Sequence, residues 1–114
     1  MILTHATDQR TKDATPWGQA DNKRIIAPGI IDYSTPGHGG IKLTAALAAK
    51  VSRAFPTFET FAGGPWYEED CDWAFVAVVF PQYWPPKSLE AARNTIRSCY
   101  DGKHAEELNA LELT

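Results

Sequence analysis

Short β-prone runs separated by turn residues mark the part of the chain that follows Pro16. Two such runs, at 23–26 and 29–34, flank the tripeptide Ala-Pro-Gly, and Pro-Gly is a strong turn signal. The pattern therefore predicts an antiparallel hairpin. A third short run at 41–43 predicts one more strand, so that a small antiparallel meander is expected.

Helical spacing of apolar residues follows this predicted meander. Thr44 is a suitable N-cap for a helix over 45–53, a stretch rich in alanine, and Pro56 prevents its continuation. Three phenylalanines then follow at close spacing and are interpreted as core anchors: Phe55, Phe58 and Phe61.

The C-terminal part of the chain predicts two further helices. Ser88 is expected to cap a helix over 89–100, and Gly102 is expected to end it. Residues 105–113 are expected to form a last turn or two of helix.

The segment 68–80 fits two secondary structures. Its apolar half, 74–80, has good strand propensity and would suit a buried central strand. Its acidic first half suits a helix N-terminus, where carboxylates complement the macrodipole, and Pro81 would end that helix. We prefer the helix and leave the strand as the alternative, with 74–80 buried in either case.

These elements predict an α+β fold, with a short antiparallel sheet of about three strands covered by two or three helices. Residues 1–16 are polar and show no sustained period, so they are expected to form a flexible N-terminal arm. Residues 17–114 are expected to form a single α+β domain.

Charge and composition narrow the functional classes. A formal net charge of −3 and a pI near 5.5 argue against direct binding of nucleic acid, which favours basic surfaces. No apolar run approaches the roughly 18 residues needed to cross a bilayer, and the N-terminus lacks the pattern of a signal peptide. We therefore expect a cytoplasmic protein that does not associate with membranes, in which Cys71 and Cys99 are free thiols.

Two segments concentrate the residues with functional potential. Residues 66–73 read WYEEDCDW and place four carboxylates among aromatic rings, whereas 34–40 read STPGHGG and hold one histidine in a glycine-rich turn. One interpretation of residues 66–73 is purely structural: their carboxylates are solvated and begin a helix. The functional interpretation is an acidic surface with aromatic anchors that binds a basic protein. The residues of this predicted partner-binding surface are Gly37, His38, Gly39, Gly40, Trp66, Tyr67, Glu68, Glu69, Asp70 and Asp72.

Catalysis is an alternative of lower rank. If Cys71 lies near a helix N-terminus and His38 serves as its base, the pair would form the nucleophilic centre of a thiol-dependent hydrolase or transferase. The neighbouring carboxylates oppose that interpretation, because they raise the pKa of a thiol. The sequence contains no zinc-type spacing of cysteine and histidine and no phosphate-binding glycine motif, so no metal and no cofactor are expected.

Three motifs in order carry a resemblance to a known family. They are WGQAD at 17–21, STPGHGG at 34–40 and WYEEDCDW at 66–73. In this order the chain resembles a small domain of unknown function found in bacteriophage and plasmid proteins. The resemblance implies a phage or mobile-element accessory protein in the host cytoplasm, which binds a host protein with a basic surface and inhibits a defence or nucleic-acid-processing complex. A structural or oligomerisation subunit of a phage particle, and hence a homo-oligomer, is the remaining alternative.

Overall fold

The computed structural model describes residues 7–113 and has an α+β fold built on a five-stranded antiparallel sheet and a separate two-stranded ribbon. The predicted class is confirmed, but the expected number of about three strands is too low. In chain order the strands are β1 (Thr7–Arg10), β2 (Ala14–Thr15), β3 (Gly18–Gln19), β4 (Asn22–Ala27), β5 (Ile30–Ser34), β6 (Gly39–Leu43) and β7 (Trp66–Glu68), and the helices are α1 (Ala45–Ala54), α2 (Trp73–Val79), α3 (Pro86–Ser98) and α4 (Ala105–Glu112).

The predicted meander forms the middle of the main sheet. β4 and β5 pair antiparallel around a turn in which Gly29 has a φ of 85°, a conformation that favours glycine. β6 pairs antiparallel with β5, so all three predicted strands are confirmed. The order across the sheet is β1-β4-β5-β6-β7, which leaves β1 and β7 at the two edges.

Strand β1 lies in the region that was expected to be a flexible arm. It pairs antiparallel with β4, and Arg24 bridges the two strands through hydrogen bonds of 2.9 and 3.3 Å to the carboxylate of Asp8. β2 and β3 then form the small ribbon. From Thr7 onward the arm is therefore part of the sheet structure, while residues 1–6 lie outside the described residues. The prediction failed here because β1 is entirely polar and lacks apolar alternation.

The first helix follows its prediction closely. Thr44 caps α1 by accepting a hydrogen bond from the backbone N–H of Leu47. Phe55 is fully buried and Phe58 stacks on a core ring, as expected. Phe61 is 78% exposed, so its assignment to the core is wrong.

The segment 68–80 is divided between two elements. Glu68 ends β7, a tight turn follows, and α2 begins only at Trp73. The helix is therefore correct for the apolar half, but the acidic residues precede it and do not form its first turn.

The C-terminal helices differ from prediction at their ends. α3 begins at Pro86, where a proline fits the first helical turn, so Ser88 lies inside the helix and is not its cap. α3 ends at Ser98, and a 3₁₀ turn over Cys99–Gly102 follows, in which Tyr100 and Asp101 have φ values near 58°. α4 matches the predicted last helix.

The core lies between one face of the sheet, called here the helix face, and the four helices. The strand residues that contribute to it are Ile26, Ala27, Ile30, Ile41, Leu43 and Tyr67. Phe75 of α2 lies at its centre, 3.8 Å from the ring of Phe58 and 4.9 Å from that of Phe55 between centroids. Between residues 7 and 113, no helix has the length and apolar character required to cross a membrane.

Candidate functional site

The glycine-rich turn and the acidic segment are neighbours in the folded chain. β6 pairs with β7 so that Gly40 lies opposite Glu68, and the backbone N–H of Glu69 donates to the carbonyl of Gly39 at 3.0 Å. Two segments about thirty residues apart in sequence therefore meet at one end of the sheet. We call this region the acidic end, defined by residues 37–40 and 68–70.

The turn before β6 is closed by Thr35. Its hydroxyl donates to the carbonyl of His38 at 2.8 Å and accepts the backbone N–H of His38 at 3.1 Å. The side chain of His38 is exposed. The turn thus presents the histidine to solvent while its backbone is fixed.

Neither Gly39 nor Gly40 has a positive φ, so backbone conformation does not explain why these positions are glycine. The reason is close packing. A Cβ on Gly40 would lie 2.4 Å from Cη2 of the Trp17 indole and 2.5 Å from the carbonyl oxygen of Tyr67. A Cβ on Gly39 would lie 2.6 Å from the carbonyl oxygen of Tyr33 and 3.0 Å from Oε2 of Glu69. The two glycines therefore make room for an aromatic ring on one side of the sheet and for a carboxylate on the other.

Side chains along β7 alternate between the two faces of the sheet. Tyr67 points into the core and is only 3% exposed, so its predicted role as a surface anchor is wrong. Glu68 lies on the opposite face, called here the outer face, whereas Glu69 lies beside Gly39 on the helix face. The predicted acidic patch is thus divided between the two faces at the end of the sheet.

The outer face carries a cluster of aromatic rings next to Glu68. Trp66 lies 5.7 Å from Trp17 and 5.7 Å from Tyr33 between ring centroids, and the ammonium of Lys42 lies 5.3 Å from the Trp66 ring. Trp66 is half-buried by these neighbours. It supports the acidic end and leaves part of its ring accessible to a partner.

The three carboxylates of the acidic end are not neutralised internally. No ion pair links Glu68, Glu69 or Asp70 to a cation of the described chain, 8–113, and Glu69 and Asp70 are exposed. Burial raises the pKa of Glu68, and the charges of Asp70 and Asp72 raise it further, whereas the backbone N–H of Asp70 and the charge of His38 lower it. Mutual repulsion of this kind favours the approach of an external cation.

Asp72 has a different environment from the other three acids. It is fully buried, and its carboxylate accepts the backbone N–H of Phe61 at 2.7 Å and the hydroxyl of Tyr100. Burial raises the pKa of Tyr100, and the hydrogen bond and charge of Asp72 act in the same direction. Asp72 therefore stabilises the fold by connecting Phe61 and Tyr100. It is not part of an exposed surface, contrary to the prediction.

The two cysteines lie directly beside this contact. Cys71 and Cys99 form a disulfide with a Cα–Cα distance of 6.4 Å, so the expectation of free thiols is wrong. A disulfide sulfur is not the thiolate that the alternative catalytic interpretation requires. Cys71 and His38 therefore form no thiol–base pair in this structure. Together the disulfide and the Asp72–Tyr100 bond connect the start of α2 to the end of α3, a region called here the disulfide junction.

Sequence reasoning missed a cleft on the helix face that opens beside Glu69. It has a volume of about 240 Å³ and is lined by two tryptophans, two carboxylate residues and apolar strand residues. Its lining includes Asp32, Glu69, Trp73, Trp84, Ile26 and Ile41. Burial raises the pKa of Asp32 to about 6, which Glu69 and Asp8 reinforce and Arg24 opposes.

A buried histidine lies next to the disulfide junction, with its ring 5.7 Å from that of Tyr100 between centroids. His104 is 2% exposed, and its Nδ1 lies 2.7 Å from the carboxylate of Glu107. Thr57 completes the cluster by donating its backbone N–H and its hydroxyl to Glu107. Burial raises the pKa of Glu107, but the hydrogen bonds from His104 and Thr57 outweigh that effect and lower it. This cluster joins α4 to the loop after α1, with the histidine buried and Thr57 exposed.

Within the described range no group of three or more histidine, cysteine or carboxylate side chains is arranged to hold a metal ion. Comparison with known families matches residues 10–112 to a domain of unknown function, DUF7007. The chain matches no curated protein and no solved structure.

Proposed function

Since the chain belongs to the DUF7007 family, whose function is unknown, we propose a function from its geometry: a protein-binding module that recognises a basic segment of a partner through the acidic end. The observation that carries this proposal is the pairing of β6 with β7, which places the glycine turn beside three carboxylates that form no ion pair with a described residue. Complementary charge of this kind directs association and selects the partner.

The predicted anchors need revision in this proposal. Tyr67 and Asp72 are buried and take no part in binding. Trp66 is the aromatic contact, because its ring is half-exposed at the edge of the outer face. His38 lies close enough to Glu68 for its charge to lower the pKa of that carboxyl, so it belongs to the same surface.

The biological setting is proposed from the motif resemblance alone. The three sequence motifs resemble a domain of bacteriophage and plasmid proteins, and we propose on that basis that the partner is a host protein. Because accessory genes of phages often encode small acidic proteins that bind and disable host machinery, we propose inhibition of a defence or nucleic-acid-processing complex in the host cytoplasm as the consequence of binding.

The acidic end is tested with a defined basic probe. We expect an eight-residue peptide of alternating lysine and glycine to shift the backbone NMR signals of residues 38–40 and 68–70. The triple variant Glu68→Gln, Glu69→Gln, Asp70→Asn should bind about tenfold more weakly, since exposed charge pairs contribute roughly 0.2–1 kcal/mol each.

A matched control separates the site from net charge. The variant Glu90→Gln, Asp101→Asn, Glu106→Gln removes the same number of exposed negative charges from α3, the 3₁₀ turn and α4. It should bind the peptide like the unmodified chain. Equal weakening by both triple variants would show a general charge effect and would overturn the proposal. In host lysate, the same pair of variants identifies which captured proteins depend on the acidic end.

A further inference from the structure

We propose that the cleft on the helix face is a binding site for an organic cation, a guanidinium or ammonium group held between the indoles of Trp73 and Trp84 and the carboxylates of Asp32 and Glu69. This inference goes beyond the function proposed above, because a free cation can occupy the cleft in the absence of any protein partner.

The strand register brings the two carboxylates to the same cleft. Asp32 lies opposite Ile41 and therefore shares the helix face with the core side chains of β5 and β6. Glu69 approaches the same face over Gly39, where the missing side chain leaves space for its carboxylate. Their charges act on each other, since Glu69 raises the pKa of Asp32. The cleft thus has two acceptor groups that come from different segments of the chain.

Among the described residues Asp32 has no hydrogen-bond or ion-pair partner. No hydrogen bond or ion pair reaches its carboxylate from the described residues, whereas Asp72, Asp13 and Asp8 are all bonded. Arg24, the cation that acts on Asp32, directs its guanidinium to Asp8 on the neighbouring strand. A partly buried carboxylate without a donor is unfavourable, and an external cation would remove that cost.

The walls of the cleft fit a cation with apolar character. Trp84 is almost fully buried and Trp73 is partly exposed, and both line the cleft together with Ile26 and Ile41. Indole faces attract guanidinium and ammonium groups by the cation–π interaction. The volume of about 240 Å³ corresponds to several water molecules at roughly 30 Å³ each, which is enough for one small organic cation.

Other ligand classes fit less well. Anions are repelled by the two carboxylates. A calcium ion requires six to eight oxygen ligands, whereas the side chains at the cleft supply two carboxylates and the hydroxyl of Ser34, and the hydroxyl of Tyr33 is bonded to Asp13. An organic cation uses both carboxylates and both indoles, because the carboxylates bind its N–H donors and the rings cover its faces.

The test uses ethylguanidinium as the probe and its neutral isostere ethylurea as the control. With the full chain, we expect ethylguanidinium to shift the indole N–H signals of Trp73 and Trp84 in a saturable way, while those of Trp17 and Trp66 stay unchanged. Ethylurea should cause no saturable shift. No saturable shift with ethylguanidinium, or equal binding of both compounds, would overturn the proposal.

The role of Asp32 is tested with the variant Asp32→Asn, which keeps the shape of the side chain. We expect the variant to bind ethylguanidinium at least tenfold more weakly at pH 7. In the unmodified chain, binding should weaken about tenfold from pH 7 to pH 5 as Asp32 becomes protonated, and in the variant this pH dependence should be lost. The charged groups that act on Asp32 are Arg24 on β4, Asp8 on β1 and Glu69 after β7. A purely structural effect of the substitution would not remove the pH dependence, so retention of that dependence in the variant would overturn the role of Asp32.

Two sources of the cation are distinguished by a second probe, a capped pentapeptide with one central arginine among glycines. Tighter binding of the peptide than of ethylguanidinium would show that the cleft takes a side chain from a protein, and tighter binding of ethylguanidinium would show a small-molecule site. Both results support the cation site. The double variant Glu68→Gln, Asp70→Asn leaves Asp32, Glu69 and both tryptophans of the cleft unchanged. Weaker binding of the lysine–glycine peptide by this variant, with retained ethylguanidinium shifts, therefore separates the two proposals.

Discussion

Two aspartates at the same end of the molecule have opposite environments. Asp72, in the disulfide junction, is fully buried, and both carboxylate oxygens accept a hydrogen bond. Asp32, in the cleft on the helix face, is partly buried and has no donor among the described residues. The comparison shows that burial alone does not define a functional carboxylate. A satisfied carboxylate stabilises the fold, whereas an unsatisfied one is available to a ligand at the cost of stability.

The largest effect should follow from removal of the disulfide. The double variant Cys71→Ser, Cys99→Ser opens a loop with a sequence separation of 28 residues, for which the chain-entropy model gives a loss of roughly 3–4 kcal/mol in the free energy of unfolding. Urea unfolding followed by tryptophan fluorescence measures it. A reducing agent should destabilise the unmodified chain and leave the variant unchanged. The effect of pH on Asp32 should persist in the variant, because the cleft is a separate region.

Asp72→Ala should have the next largest effect. It leaves the backbone N–H of Phe61 and the hydroxyl of Tyr100 without their acceptor, and each orphaned buried group costs roughly 1–3 kcal/mol. We expect a loss of about 3 kcal/mol in urea unfolding. Asp70→Ala, at an exposed position two residues earlier, is the control and should change stability by less than about 0.5 kcal/mol. Equal losses of stability in the two variants would show that the buried hydrogen bonds of Asp72 do not stabilise the fold.

Asp32→Asn should act in the opposite direction and stabilise the protein. The pKa of Asp32 rises from 3.8 in the unfolded chain to about 6 in the folded protein, so the folded state binds more protons between these values. Its contribution to stability is complete below pH 3.8 and is lost as the pH rises through about 6. At pH 7 the variant should therefore gain about 3 kcal/mol, and this gain should vanish at pH 3.5. Unfolding curves recorded at both pH values measure the difference, and a loss of stability at pH 7 would contradict the assignment.

Phe61→Ala should have the smallest effect. The contact of Phe61 with Asp72 uses its backbone N–H, while the ring is 78% exposed. We expect a change of less than about 0.5 kcal/mol in the free energy of unfolding. Phe58→Ala is the comparison, because that ring stacks on Phe75 and its loss should cost several times more. A large effect of Phe61→Ala would mean that its ring stabilises the disulfide junction.

The sequence predicted turns and helix starts correctly where a few adjacent residues determine them. Pro28 and Gly29 identify the turn between β4 and β5, and Thr44 identifies the start of α1. β1 escaped prediction because a polar edge strand is specified by its partner and not by its own pattern. The disulfide escaped because the pairing of Cys71 with Cys99 depends on the fold, and the expected compartment argued against it.

The candidate site at the acidic end was also predicted only in part, because local signals identify its segments but not the faces on which their side chains lie. The pairing of the glycine turn with the acidic segment agrees with the suggestion of a common region. The sequence did not reveal which acids face solvent, since that depends on where β7 ends and α2 begins. Asp32 carries no local signal, because it stands between Ile31 and Tyr33 in a strand with apolar residues on both faces, so alternation does not identify the buried face.

The pairing of β1 with β4 has a practical consequence for anyone who shortens this protein. The sequence suggests that the first sixteen residues are dispensable, yet trimming them would strip β4 of its outer neighbour and uncover a row of backbone donors and acceptors beside Ile25. We expect such a truncated molecule to aggregate by pairing of exposed β4 edges. Its precipitation would therefore give no information about the partner that the intact protein binds.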